Sequence, residues 1–429
     1  MNSWKDHERV TYHPTIDDRA FCNELKTSLD LFLYPDDFEF LGRFARCYKK
    51  EFDEFIKPID SSPFVKHKPV PPPTKSLQTA LFPFIPKLKA KSVFELYNSY
   101  QGRGIVMTSG NEDIHYSIVN IRLLRKVLNC QLPIEFFYFG NEDLHPEYQK
   151  RLQVFDNVKL IDVSKLYLDS TIVGFPMKLF SILLSSFEEV MLLDADAFFF
   201  RNPEELFDHD LFQSTGALFF RDRSIRYNYF EDPGIRKLLL ALTLGNLSEK
   251  VMAERVWTRK TQHEMEAGVV LWNKKQHFVA MLVACTLNSK PFSDIVYQRV
   301  LGDKETFWLA HEALGEPYEW YPYGGSAIGV QRDSTTVCGS LLHIEAETQR
   351  PLWFNGGLQV NKDFPDGQQL LNMTSFSIDD TFDGLNWEWG IGDTSWCHSV
   401  INTGRIKEMD EDELDIVTWI QDSWIDEDE

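Results

Sequence analysis

The chain has 429 residues, 43% hydrophobic and 25% charged, a balance that allows a large core and two or three domains. It excludes a wholly disordered or collagen-like chain. The 44 basic and 65 acidic residues leave a net charge of -21, which argues against non-specific binding to nucleic acid or to an anionic membrane, since both need a positive surface.

Part of that charge is local. Glu408 to Glu429 holds eleven acids and no base, so a basic or metal-filled pocket elsewhere can still hold an anionic substrate. Six scattered cysteines (Cys22, Cys47, Cys130, Cys285, Cys338, Cys397) form no C-x-x-C pair, which excludes zinc-ribbon and thioredoxin-like readings. Disulfides are permitted but not required, and the redox compartment stays open. Asn246-Leu-Ser248 and Asn372-Met-Thr374 are glycosylation sequons, a number close to chance. No apolar run is long enough to span a bilayer. The start, Met1 to Glu8, is too charged for a signal peptide. A soluble chain is expected, or one without the segment that anchors or exports it.

Residues 1–100 predict helices over Asp17 to Leu33 and Asp36 to Ile59. A stiff linker, His67-Lys-Pro-Val-Pro-Pro-Pro-Thr74, precedes a third helix from Lys75 to Ser99. This region reads as a stem or packing subdomain. The pattern then alternates. Gly104 to Thr108 is a strand, and Ser109 to Asp113 opens a helix carrying Ile114, Ile118, Ile121, Leu124 and Leu128 on one face to Asn129. Strand Pro133 to Phe139, helix Glu142 to Phe155 and strand Val158 to Asp162 follow, then helix Pro176 to Phe187 and strand Val190 to Leu193. Such alternation predicts an α/β domain over 101–405, a Rossmann-like, mostly parallel sheet flanked by helices, with ligands at the strands' carboxyl ends. Phe278 to Leu287 is a buried helix. The acidic tail, 406–429, is expected to be solvated or frayed unless Trp419 and Trp424 dock it.

The chemistry concentrates in Leu192-Leu-Asp194-Ala-Asp196-Ala-Phe198, an apolar strand ending in two carboxylates. At a strand end, where the backbone turns, both acids can reach one ion. Two hard oxygen ligands with open positions suit Mn²⁺ or Mg²⁺. Such an ion holds a diphosphate and neutralises its charge as it departs. A phosphatase of the haloacid dehalogenase type also uses D-x-D after a strand, but Phe198 and the several earlier strands do not fit it.

Phe175-Pro-Met-Lys178-Leu, the stretch Phe187 to Asp196, and Arg201-Asn-Pro-Glu-Glu-Leu-Phe207 together resemble the donor-site core of GT-A glycosyltransferases. With Gly102 to Asn111, Leu132 to Tyr138, Glu264 to Trp272, Gly302 to Trp308 and Pro351 to Asn355, the chain resembles the fungal alpha-mannosyltransferase family that includes the alpha-1,3-mannosyltransferases of yeast. The resemblance implies a GT-A fold, a GDP-mannose donor, Mn²⁺, a mannose-terminated glycan acceptor, and retention of the alpha configuration. It also implies residence in the Golgi lumen behind a single membrane anchor that this sequence does not contain.

Site residues follow from the same resemblance. Asp194 and Asp196 are the expected metal ligands, and Asp194 can also contact the ribose. His343, ahead of Pro351-Leu-Trp353, is the expected third ligand. Thr108, Gly110, Asn111 and Lys178 are expected at the nucleotide or diphosphate, with Gly110 allowing close backbone approach. Glu266 is expected to orient the donor sugar. Asp303 and Glu305 are candidates near the reacting face, where a carboxylate stabilises or traps an oxocarbenium-like carbon. Trp308, Trp320, Tyr321, Tyr323 and Trp353 are either sugar-stacking faces or core, mostly core. Gly324-Gly325-Ser326 reads as a flexible loop on the acceptor side. Another nucleotide sugar, such as UDP-glucose or UDP-galactose, and a silent glycan-binding subunit are the alternatives.

Overall fold

In a computed structural model the chain is described over residues 18–25, 33–57, 72–89, 92–225, 234–362, 364, 367–378, 387–388, 390, 394–400 and 404–428. Much of the stiff linker lies outside these residues. Strands are numbered in chain order: β1 Arg103–Thr108, β2 Ile134–Tyr138, β3 Val158–Asp162, β4 Glu189–Leu193 and β5 Phe198–Phe199. Then come β6 Ala217–Arg221, β7 Met265–Asn273, β8 Glu319–Trp320, β9 Ser326–Gln331 and β10 Thr336–Ile344. The last are β11 Pro351–Asn355, β12 Ser375–Ile378, β13 Trp387–Glu388, β14 Cys397–Ser399 and β15 Arg405–Glu408.

The first sheet runs β3-β2-β1-β4-β7-β6-β8. Only β7 is antiparallel to its neighbours. The expected mostly parallel, helix-covered α/β sheet is therefore what the chain builds. Its central strands are buried on both faces, which is why they are apolar runs rather than alternating ones. A second, antiparallel sheet runs β13-β14-β10-β9-β12-β15. β11 pairs with β10 and with β5, so the short strand just after the two aspartates ties the second sheet to the end of β4.

The N-terminal helices pack into the same apolar cluster as one face of the first sheet. Helix Phe38–Ile56 is started by Asp37, which accepts from the Phe40 N–H (3.2 Å). It lies so close to helix Gly234–Thr243 that a Cβ at Gly42 would sit 2.1 Å from the Leu242 carbonyl oxygen. The expected helix Lys75 to Ser99 is instead two, Lys75–Leu81 and Val93–Ser99. Pro83 and Pro86 break the run, because neither can donate an N–H. Likewise Pro146 divides the expected Glu142 to Phe155 helix into Gly140–Asp143 and Pro146–Leu152. Helix Phe278–Leu287 is buried along its whole length, and each larger side chain there contributes about 1.5–3 kcal/mol.

The acidic end forms a helix, Glu411–Asp428. It is docked rather than solvated: Val417 and Ile420 are buried, and the Trp424 ring lies 4.2 Å from that of Tyr116. Disulfides join Cys22 to Cys47 and Cys338 to Cys397, while Cys130 and Cys285 are buried thiols. Asn246 and Asn372, the sequon residues, are exposed. No described helix is long and apolar enough to cross a membrane.

His311, on helix Thr306–Leu314, is buried among Phe219, Trp272 and Tyr318. Burial first, and neighbouring His277 next, push its pKa down to about 3. The unfolded chain takes up that proton near about pH 6.5, so the unfolded state binds more protons between the two values. Stability must then fall as pH drops through this window. Urea melts at about pH 7 and about pH 5 are expected to show a smaller loss for His311→Phe than for the wild type.

Candidate active site

The carboxyl edge of the first sheet carries the candidate residues. β1 and β4 are parallel with Met107 opposite Leu193, which brings Thr108 level with Asp194. The Asp194 N–H donates to Gly268 O of β7 (2.9 Å), closing the strand end. Asn120, buried on helix Ile114–Arg122, then fixes the turn. Its Nδ2 donates to the carbonyls of Ala197 (2.7 Å) and Ala195 (3.2 Å). Asn120→Leu removes the donor from a buried turn and is expected to cost about 1–3 kcal/mol in urea unfolding.

A cleft of about 280 Å³ opens over this edge. Its charged lining is Lys178, Asp194, Asp196, Arg223, Glu266, Asp303, Lys304 and Lys362. Cations and carboxylates balance there, within a chain of net charge -21. Lys178 Nζ donates to Asp194 Oδ2 (2.7 Å) and Lys362 Nζ to Asp196 Oδ2 (2.5 Å). Burial raises the Asp194 pKa to about 6, with Lys178 opposing and Asp196 adding. Burial also acts upward on Asp196, but Lys362 first and Lys178 next together outweigh it, and the carboxyl stays below its usual value. The carboxyl of Asp113 is raised by burial and then by Asp196, so a third acid stands nearby.

Glu266 is fully engaged. Its Oε1 accepts from the Gly268 N–H (2.9 Å) and Asn355 Nδ2 (2.8 Å), and Oε2 pairs with Lys304 (3.2 Å). Lys304 also reaches Asp222 (3.0 Å). Asp303 differs: it is buried, its Oδ2 has no hydrogen-bond partner, and burial raises its pKa. At the far end Arg223 stacks over Trp396 (4.6 Å) and Trp387 (5.3 Å).

Lys178, Asp194, Asp196, Glu266 and Asp303 are thus brought together. The other expected residues do not line the cleft. Glu305 is buried behind it, accepting from the Glu264 N–H (2.8 Å) and Trp308 Nε1 (2.6 Å), with burial raising its pKa to about 8. His343 stacks on Trp353 (4.1 Å between centroids) with both ring nitrogens unpartnered, and burial lowers its pKa to about 3. Asn111 bridges loops: its Nδ2 donates to Glu142 O and its Oδ1 accepts from the His145 N–H. A Cβ at Gly110 would meet Asp143 Oδ1 at 2.8 Å, so the close approach there is to Asp143. Trp308, Trp320, Tyr321 and Trp353 are core, as most were expected to be. Gly325 packs against the Arg223 backbone.

Sequence reasoning missed Lys304, Lys362, Arg223, Asn355 and Trp396. Lys304 lies between Asp303 and Glu305, and Asn355 ends the Pro351–Asn355 stretch, so both adjoin expected residues. Arg223, Lys362 and Trp396 carried no local signal. Among the described residues His277, His311 and Glu316 also form a ligand-type cluster. There the His277 Nδ1 and Nε2 are occupied by Glu316 Oε2 and Thr215 O (both 2.6 Å), and Lys49 pairs with Glu316 (3.0 Å). That is a hydrogen-bonded ion cluster with the His277 and Glu316 atoms in use, while His311 Nδ1 pairs with Pro317 O (3.0 Å) and its Nε2 has no partner.

Residues 102–345 match the family model described as "Mannosyltransferase putative". The chain is 34% identical to "Putative alpha-1,3-mannosyltransferase MNN14" of Candida albicans over 62% of its length and 44% of that protein's. It is 26% identical to alpha-1,3-mannosyltransferase MNT2 of Saccharomyces cerevisiae over 59% of its length and 47% of that protein's. The chain therefore spans less than half the length of these relatives. Among solved structures, core-mannan synthase A of Aspergillus fumigatus in its Mn/GDP form matches with a TM-score of 0.33 at 11% identity, over 52% of this chain and 74% of that one.

Proposed function

The chain belongs to this mannosyltransferase family, and we propose that it moves mannose from GDP-mannose to a mannose-terminated glycan, forming an alpha-1,3 linkage with retention. The carrying observation is the charge-balanced cleft with two carboxylates at the end of β4. A divalent cation and a dianionic nucleotide sugar enter such a cleft together without leaving net charge, whereas either alone leaves an excess.

Asp194 and Asp196 supply the hard oxygen donors that Mn²⁺ or Mg²⁺ prefers, and they are the residues that would hold it. His343, stacked on Trp353 outside the cleft lining, is left out of the set. When bound, the cation neutralises charge on the departing diphosphate. Lys178 adds a second positive charge from the side of Asp194. Thr108 stands level with Asp194 at the sheet edge, outside the cleft lining, and this register supports a base and ribose lying over the end of β1.

Glu266 is held by three donors, so its role is to position the sugar and Lys304. Asp303, whose Oδ2 has no partner, is the carboxylate that stabilises positive charge at the anomeric carbon. Glu305 braces the start of β7 through the Glu264 N–H. Trp396, stacked on Arg223, is the aromatic face offered to the acceptor sugar. Action in the Golgi lumen is supported by the two disulfides.

Incubation with Mn²⁺ and a donor panel, with NMR of the product from a mannobiose acceptor, tests the reading. GDP-mannose is expected to be consumed and an alpha-1,3 product formed. Turnover of a UDP-sugar alone, or of no donor, would overturn it. Asp196→Asn is expected to stay folded with transfer lowered at least about 100-fold, as for loss of a charge-stabilising centre. Trp396→Ala is expected to raise the acceptor KM about tenfold, with the donor KM little changed.

A further inference from the structure

The two carboxylates that would hold the cation, Asp194 and Asp196, are covered by lysines of different kinds. Lys178 comes from helix Phe175–Leu184, packed against β1 and helix Phe278–Leu287. Its side chain is only 20% exposed. Lys362 comes from the loop after β11 and is 38% exposed, although its partner Asp196 is 13% exposed. The loop turns at Gly356 (φ +113°) and Gly357 (φ +84°). It is pinned on either side of the cleft: Gln359 Oε1 accepts from Tyr116 Oη (3.0 Å), and Asn361 donates from its N–H to Gly367 O (2.8 Å) and from its Nδ2 to Thr394 O (3.2 Å). An ammonium on a flexible four-carbon stem is thus delivered from the outer rim onto Asp196 Oδ2, at 2.5 Å.

An ammonium and a divalent cation compete for that carboxylate. A small divalent cation such as Mg²⁺ bonds carboxylate oxygen at about 2.0–2.1 Å and repels a positive charge so close to it. The dianionic diphosphate that arrives with the cation offers new acceptor oxygens at the same place, and lysine binds phosphate as a point charge. The cleft's net charge is the same in either arrangement, but the ammonium stands away from the cation and next to a new anion only if it changes partner. We propose that Lys362 is an exchangeable counter-ion, holding Asp196 in the empty cleft and passing to the diphosphate of the nucleotide sugar when a divalent cation takes Asp196. Lys362 then weakens binding of the bare cation and strengthens binding of nucleotide with cation, so the two enter as a pair. The inference rests on the metal-and-nucleotide reading above.

The full chain and its Lys362→Met and Lys362→Arg variants are titrated with Mn²⁺ alone, followed by electron paramagnetic resonance, and with GDP at saturating Mn²⁺, followed by calorimetry. Lys362→Met is expected to bind Mn²⁺ alone about five- to tenfold more tightly and GDP about tenfold more weakly, a coupling of ordinary size. Lys362→Arg, which keeps the charge, is expected to stay near wild type in both. Unchanged or weaker Mn²⁺ binding by folded Lys362→Met, or unchanged GDP binding, would overturn the exchange while leaving the active-site reading intact. A wild type that binds neither Mn²⁺ nor GDP would overturn both.

Discussion

Two carboxylates one residue apart, at the end of a strand and largely shielded from water, repel each other and lose hydration. The protein tolerates Asp194 and Asp196 because each has a lysine within hydrogen-bonding distance. The compensation is uneven. Burial, helped by Asp196 and Glu266, outweighs Lys178 at Asp194, whereas Lys362 and Lys178 together outweigh burial at Asp196. The remainder of the fold can be read as what brings those two ammonium groups to that strand end.

Lys178 requires its helix to lie along the first sheet, and the sheet's order achieves this by seating the helix between β1 and the buried helix Phe278–Leu287. Lys362 requires the second sheet. β5 follows the aspartates by one residue and pairs with β11, whose carboxyl end begins the loop that carries Lys362. The antiparallel strand β7 completes the arrangement. It accepts the Asp194 N–H at Gly268 and supplies Glu266 to the cleft wall. Asn120 stops the turn from relaxing away from the cleft.

A cleft built this way is neutral inside a strongly acidic chain. Its design suits ligands that arrive as a balanced pair of charges better than a simple anion or cation. Glu266 and Lys304 lock each other in place, while Asp303 keeps an oxygen unpartnered. A carboxylate so placed is costly unless something enters to meet it.

The sequence by itself determined the parallel sheet, the strand ending in Asp194-Ala-Asp196, the lysine one helix earlier and the acids after β7. The sheet and the strand end are local, since a strand's apolar run and a helix's periodicity follow from side-chain spacing, whereas Lys178 and the acids after β7 were legible only through the family resemblance. It also carried the proline breaks at Pro83, Pro86 and Pro146, which the longer helical periodicity had masked. Tertiary structure alone decided which charged groups meet. Lys362 lies 166 positions from Asp196, and Trp396 reaches Arg223 from a third stretch of chain. It also withdrew His343 and Glu305 behind the cleft wall, because strand register and packing against Trp353 and Trp308 set the facing of those side chains. Long-range pairing depends on how two sheets dock, and no local pattern records that geometry.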